Sequence, residues 1–553
     1  MVCALMTCML AGCSGSQPAA ESAAPAATEA APAAETQASA QPAASNDGVL
    51  VVPAPQGSSD KLAAGWYNTG LISYALMFSK LLTLDPDNNP SCDGESLADS
   101  YTASADYMEY EFTLKDGVKF HDGEPLTAED VKYSIEFACR YGTLNSVVFS
   151  TFGCIEGFDA LTAGSATEMS GIIADGNKLT IKLAKPTAYL EFTLGSFDIL
   201  PKHILEKEDP VTFATSAFWA GPVGSGPYKV KEFKPNDYMI LEKFDDYYGN
   251  APEIGLVKMA LVSDGDYVTL CQAGEIDYFQ TMDVATALEI EKLGTYTVKN
   301  VPIMYNDMFF WNSYGRGGNG DDPISDIRVR KAIIHAIDRQ AIVDSILFGY
   351  GLVHDTLLPA TDPNYNSGTY HYNYDPETAK KLLDEAGFDY SRTLRIATYY
   401  DNQTTANILD TIVYYLGEVG VKAEWFVLTG DLVAGIYETR DYDLLYGDNS
   451  AITPIELFGN MSSSAGGYIS KLFPTTKNPM DEFIDEYRTT GDAARQAELI
   501  KTMQEKEAEM LYYLPLWTID EFIITNNRIN GTVVYGNEWR SYNRGNLDWT
   551  LSK

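Results

Sequence analysis

From Ser14 to Gly48 the chain carries no aromatic and no large aliphatic residue. The segment SGSQPAAESAAPAATEAAPAAETQASAQPAASNDG has nothing to bury and builds no core. Folding therefore has to begin near residue 49. The rest of the chain is long enough for two or three structural units of roughly 100–200 residues each. The chain is 45% hydrophobic and 12% aromatic, enough for a sizeable core. It has 77 Asp plus Glu against 39 Lys plus Arg, a formal net charge of −38. Nucleic acids and anionic membrane surfaces need basic patches, so both are excluded as partners of so acidic a surface. No apolar run approaches the roughly 20 residues that span a bilayer.

Beyond residue 49, helix signals alternate with short strand-like runs. In LTAEDVKYSIEFA, Thr127 is placed to cap a helix with Asp130 at its third position, and Leu126 and Val131 staple across the cap. In SDIRVRKAIIHAIDR, Asp326 caps, and Val329, Ala332, Ile333, Ala336 and Ile337 form one apolar stripe. Arg328, Arg330 and Lys331 fall on the opposite face, solvated or paired. In YDPETAKKLLDEAGF, Asp375 caps, Pro376 opens the helix and Gly387 stops it. KLTIKL, YMILEKF and TLRIATYY alternate as strands do. The class is α/β with more than one lobe.

Residues 1–12, MVCALMTCMLAG, form an apolar stretch that ends at Cys13. Leu10-Ala11-Gly12-Cys13 resembles the lipobox of bacterial lipoproteins. The resemblance implies a signal peptide over 1–12, truncated in that no Lys or Arg precedes it. It also implies a lipidated Cys13 and a disordered tether over 13–48. The protein is then expected outside the cytoplasmic membrane, held to it by lipid at the cell surface or in the periplasm. Of the remaining cysteines, Cys139 and Cys154 could form a disulfide, or all four from Cys92 to Cys271 could be buried thiols. None has metal-ligand spacing.

Five blocks in order carry a second resemblance. They are YEFTLKDGVKFHDGEPLTAEDVKYSIE (110–136), PVGSGPYKVKEF (222–233), AGEIDYF (273–279), PISDIRVRKAIIHAIDRQAIV (323–343) and YDPETAKKLLDEAGF (374–388). Together they resemble the extracytoplasmic solute-binding proteins of ABC importers, family 5, which bind oligopeptides, dipeptides or nickel. The resemblance implies a two-lobed, periplasmic-binding-protein-like α/β fold of the large, three-subdomain type, with hinge closure around the ligand. Lobe I would cover 49–305, with an extra subdomain over 82–185. Lobe II would cover 306–521, and 522–553 would return to lobe I. It implies a monomer without cofactor that binds a di- or oligopeptide and delivers it to permease and ATPase subunits. A nickel chelate, haem or oligosaccharide, or sensing without transport, is the alternative.

Other signals fail. Gly315-Arg-Gly-Gly-Asn-Gly320 spells a dinucleotide fingerprint, but Asp321, Asp322 and Pro323 come where a helix should start. It reads as a flexible surface loop. There is no H-E-x-x-H, G-x-S-x-G or P-loop, and the five histidines lack metal-ligand spacing, so nothing supports an enzyme. For the ligand, the resemblance implies an ammonium-binding aspartate after a second-lobe strand. Here DYDLLYG (441–447) leads to Asp448, with Tyr446 where relatives carry tryptophan. Trp66 and Tyr67 after the first strand, Trp311 and Asn312 after the first strand of lobe II, and Trp517 near the return complete the candidate ligand-binding set.

Overall fold

The local signals produce local structure. In the computed structural model, which describes residues 48–55, 76–85, 89–141, 148, 151–187, 190–234, 237–262, 264–451, 453–463, 471–472, 478–531 and 548–552, all three capped helices form. The helix Ala128–Tyr141 starts where Asp130 accepts the backbone N–H of Thr127 at 2.9 Å. Asp326 and Asp375 cap the helices Ile327–Ala336 and Pro376–Ala386, and Gly387 closes the latter at φ 69°. Ile337 departs from expectation. Its backbone is already extended, so it finishes the apolar stripe from outside the helix, still fully buried.

The strands gather into three main sheets. The first runs Val49–Pro55, Leu256–Val262, Tyr238–Lys243, Tyr228–Lys234, with its first pair parallel and the rest antiparallel. The second, antiparallel throughout, is built from Ala98–Ala103, Glu109–Leu114, Lys178–Lys182 and Ile172–Asp175. The third is six-stranded, in the order Tyr278–Thr281, Tyr513–Asn526, Tyr296–Trp311, Leu444–Ser450, Thr393–Thr398, Lys422–Val427.

Two long strands, Tyr296–Trp311 and Tyr513–Asn526, pair antiparallel through the third sheet. Their ladder is irregular between Pro302 and Asn306 and again between Asp307 and Met308. The hydrophobic clusters change over at the same place. One cluster includes Leu50 through Ile303, a second Met308 through Trp517, and a smaller third joins Phe522 and Ile524 to residues between Val262 and Tyr296.

Contacts between distant segments explain the sequence blocks. His121 of KFHDGEP accepts the Gly224 N–H at Nδ1 (3.1 Å), so its Nε2 carries the proton and donates to the Gly226 carbonyl (3.1 Å). Burial pushes the His121 pKa down to about 4. Both glycines are required there. A Cβ at Gly224 would lie 2.0 Å from the Met77 oxygen, and one at Gly226 would lie 2.6 Å from the Met77 carbonyl carbon. Asp277 of AGEIDYF is fully buried and ties three strands together. It accepts the Val51 N–H at 2.7 Å and the Arg528 Nε–H and Nη2–H, each at 2.5 Å.

Two expectations need correction, and one open alternative closes. The Gly315–Gly320 loop is anchored at its start: Gly315 packs on the Asp321 backbone, and Arg316 Nε bonds both oxygens of buried Asp443 at 3.0 and 3.1 Å. Arg330 is not solvated. It is buried, donating to the carbonyls of Ile324, Ser325 and Met510. Of the two readings left open for the cysteines, the thiols hold: Cys139, Cys154 and Cys271 are unbridged and buried, and Cys92 is unbridged and half-buried. Cys13 lies outside the described residues.

Candidate ligand-binding site

The strand expected over 441–447 in fact covers Leu444–Ser450, so Asp448 lies inside it and not beyond its end. That shift matters because it fixes a partner. Asp448 is directly opposite Asp307 of the Tyr296–Trp311 strand, and Asp307 is directly opposite Trp517 on its other side. Directly opposed residues share a sheet face, with Cβ atoms about 5 Å apart. Side chains alternate along a strand, so Tyr305 and Tyr446 join the same face.

The face is polar at its centre and, among the described residues, has no cation. Tyr399 donates its hydroxyl to Asp448 Oδ1 at 2.7 Å, and Tyr400 donates to the same oxygen. The Tyr305 and Tyr400 hydroxyls are 2.8 Å apart. The Asp448 N–H in turn donates to the Tyr399 oxygen at 3.0 Å. Gly447 permits this approach, since a Cβ there would stand 2.6 Å from that oxygen. Asp448 is half-buried, and among the described residues nothing bonds its Oδ2.

Asp307 lies deeper, 2% exposed. Its Oδ2 accepts the Tyr446 hydroxyl at 2.5 Å and the Trp517 indole N–H at 3.1 Å. Its Oδ1 is buried with no partner. Burial, with the Asp448 charge adding to it, pushes the Asp307 pKa up to about 7 against the pull of its two donors. Burial and the nearby acids also raise the Tyr446 and Tyr400 hydroxyls far above the usual tyrosine range. Among the described residues neither aspartate has an ion-pair partner, and no cluster of His, Cys, Asp and Glu is fit to hold a metal. Such a face can accept a cationic hydrogen-bond donor and would repel a carboxylate.

Of the candidate set, the structure brings Asp448, Tyr446 and Trp517 together. Tyr446 and Trp517 are themselves buried, so they support the acids from beneath. Trp311 and Asn312 are elsewhere, four and five residues further along their strand and beyond it. Trp311 Nε1 donates to Asp322 at 2.9 Å, and the Arg330 guanidinium stacks 3.8 Å from a ring of its indole. Asn312 donates to the carbonyls of Gly315, Arg440 and Tyr442. Both are committed to scaffold contacts. Trp66 and Tyr67 lie outside the described residues. Sequence reasoning missed Asp307, Tyr305, Tyr399 and Tyr400. The signals were an acid inside the run YNDMFFW and two tyrosines closing TLRIATYY.

The mixed α/β architecture, with two long strands passing between separately packed cores, is that of a periplasmic binding protein. Comparison with known structures agrees. A Campylobacter jejuni protein, NikZ in complex with Ni(L-His), matches at TM-score 0.74 and 20% identity over 91% of this chain and 99% of that one. Bacillus subtilis AppA in complex with a nonapeptide matches at TM-score 0.71 and 22% identity over 91% and 99%. Residues 95–467 match the model of the bacterial extracellular solute-binding proteins, family 5, middle region, and the chain belongs to that family. It is a binding protein, not an enzyme. A Brucella ovis protein named for peptide binding in ABC transport is 30% identical over 381 residues, 66% of this chain. The match spans about two thirds, 65%, of that relative's own length. No helix among the described residues is long and apolar enough to cross a membrane.

Proposed function

We propose that this protein is the solute-binding component of an ABC importer and that it captures a di- or oligopeptide by its free ammonium group, with Asp448 as the anchor. The supporting observation is the half-buried Asp448 carboxylate, whose Oδ1 is fixed by two tyrosine hydroxyls and whose Oδ2 is left without a partner. A pre-oriented carboxylate facing an ammonium makes a charge-assisted hydrogen bond, shorter and about twice as strong as a neutral one. Solutes that present only carboxylates to this face, as many metal chelates do, are disfavoured by two acids and no base.

In this reading lobe I (49–305 with 522–553) and lobe II (306–521) close on the ligand, and the closed form is presented to the permease. Lipid on Cys13 and the tether over 13–48 hold the protein outside the cytoplasmic membrane. The test is thermal unfolding against pools of di- to octapeptides, oligosaccharides and nickel chelates. A ligand at a hundred times its Kd adds about 2.7 kcal/mol. Peptides should shift the midpoint of the wild type and not of Asp448→Ala. A shift by sugars or chelates alone would refute the peptide reading.

A further inference from the structure

Asp448 is not the only acid at the site, and the second one does not behave as an anchor. Asp307 faces it across one strand pair, deeper and with one oxygen buried without a partner. The groups packed around Asp307 are Tyr305 on its own strand, Tyr446 and Asp448 on the next, Tyr400 beyond that, and Trp517 on the other side. Among the described residues, none of the groups around Asp307 is positive. Two carboxylates on directly opposed residues, with Cβ atoms about 5 Å apart, one buried and one half-buried, do not both stay ionised; one keeps a proton. Each acid has two donors, but Asp448 is the more exposed and Asp307 has a buried oxygen without a partner, so Asp448 takes the charge and Asp307 the proton.

From this geometry we propose that Asp307 is the proton-carrying second acid of the cation site, and that capture of an ammonium or guanidinium group expels its proton to bulk water. The incoming cation brings the charge that lets both acids ionise, so one proton leaves for each ligand bound. Affinity then rises with pH, and Asp307 sets that dependence. This rests on Asp448 being the ammonium anchor, and the experiment separates the two.

The whole chain is used, with trialanine as probe and N-acetyl-trialanine as control. Binding is measured by calorimetry at pH 5, 6 and 7, where the probe's amine stays protonated, since its pKa is about 8. In the wild type, affinity should tighten by up to about tenfold per pH unit, the limit for release of one proton. Asp307→Asn should bind at every pH with the weaker, low-pH affinity of the wild type. Equal wild-type affinities at pH 5 and 7, or an unchanged slope in Asp307→Asn, overturn the proposal and leave the anchor standing. Binding of N-acetyl-trialanine as tightly as trialanine, or no binding of either, overturns the ammonium reading instead. A ligand-free arm then decides the proton: the wild type should lose stability between pH 4 and 7 relative to Asp307→Asn. Coincident profiles overturn the assignment of the proton to Asp307.

Discussion

Two aspartates, Asp277 and Asp307, are almost equally buried, and they have opposite surroundings. Asp277 receives a two-armed guanidinium from Arg528 and a backbone N–H from Val51. Asp443, equally buried, is likewise held by Arg316 and Arg392. Asp307 receives only a phenol and an indole, with another acid opposite. A buried carboxylate matched by a cation is finished and holds strands together. One left facing a second carboxylate keeps an unmet demand for positive charge, and that demand is available to a ligand.

The largest effect should come from breaking a matched acid. Arg528→Met leaves Asp277 charged and buried without its partner and should cost about 3–5 kcal/mol, read as a fall in the unfolding midpoint in urea. Asp307→Asn should cost under about 1 kcal/mol or stabilise slightly, because it removes a burden without stranding a charge. If the two variants cost the same, the contrast between matched and unmatched acids fails.

The next test sets pH against the two regions. The His121 pKa lies near 4 in the fold against about 6.5 unfolded, so its stabilisation is complete above pH 6.5 and is lost as pH falls toward 4. Each pH unit in that window is worth at most about 1.4 kcal/mol. Asp307 runs the other way: its stabilisation is complete below pH 3.8 and is lost as pH rises through about 7. Acidification from pH 7 to 4.5 should weaken the region around His121 and strengthen that around Asp307. Scanning calorimetry should show the separation between two transitions changing with pH, and His121→Gln should remove the His121 part.

A smaller effect sharpens the site itself. Gly447→Ala would displace the Tyr399 hydroxyl from Asp448 and should weaken trialanine binding about tenfold, the worth of one lost charged hydrogen bond of about 1.5 kcal/mol. The unfolding midpoint should fall by less than Arg528→Met lowers it. A Gly447→Ala protein that binds normally would show that Tyr399 does not orient the carboxylate.

The caps at Asp326 and Asp375 were legible in the sequence, because a cap is decided within four residues. The family was legible through blocks such as KFHDGEP and GSGPY, although not why they matter. His121 meets its glycines across about a hundred residues, and Asp277 meets Arg528 across 251. Asp448 stands out in the sequence as an acid closing a strand-like run; the residue opposite it does not. Asp307 becomes a neighbour only once the register of two strands 141 residues apart is set, and a strand placed three residues early hides that register. Trp311 differs for a related reason: it reads as a ligand candidate after a strand, yet its indole is occupied by Asp322 and Arg330.

The knot at Asp277 also bears on the order of assembly. A ribosome delivers the amino end first, yet the strand Val49–Pro55 is fastened through Asp277 to Arg528, near the opposite end. Contacts of such sequence separation close late and slowly. Until Arg528 emerges, the acid at 277 is unneutralised and the first sheet lacks its clamp. The second core, drawn from residues between Met308 and Trp517, needs nothing from so far away. The strand Val49–Pro55 is therefore made early and locked late, once Arg528 reaches Asp277.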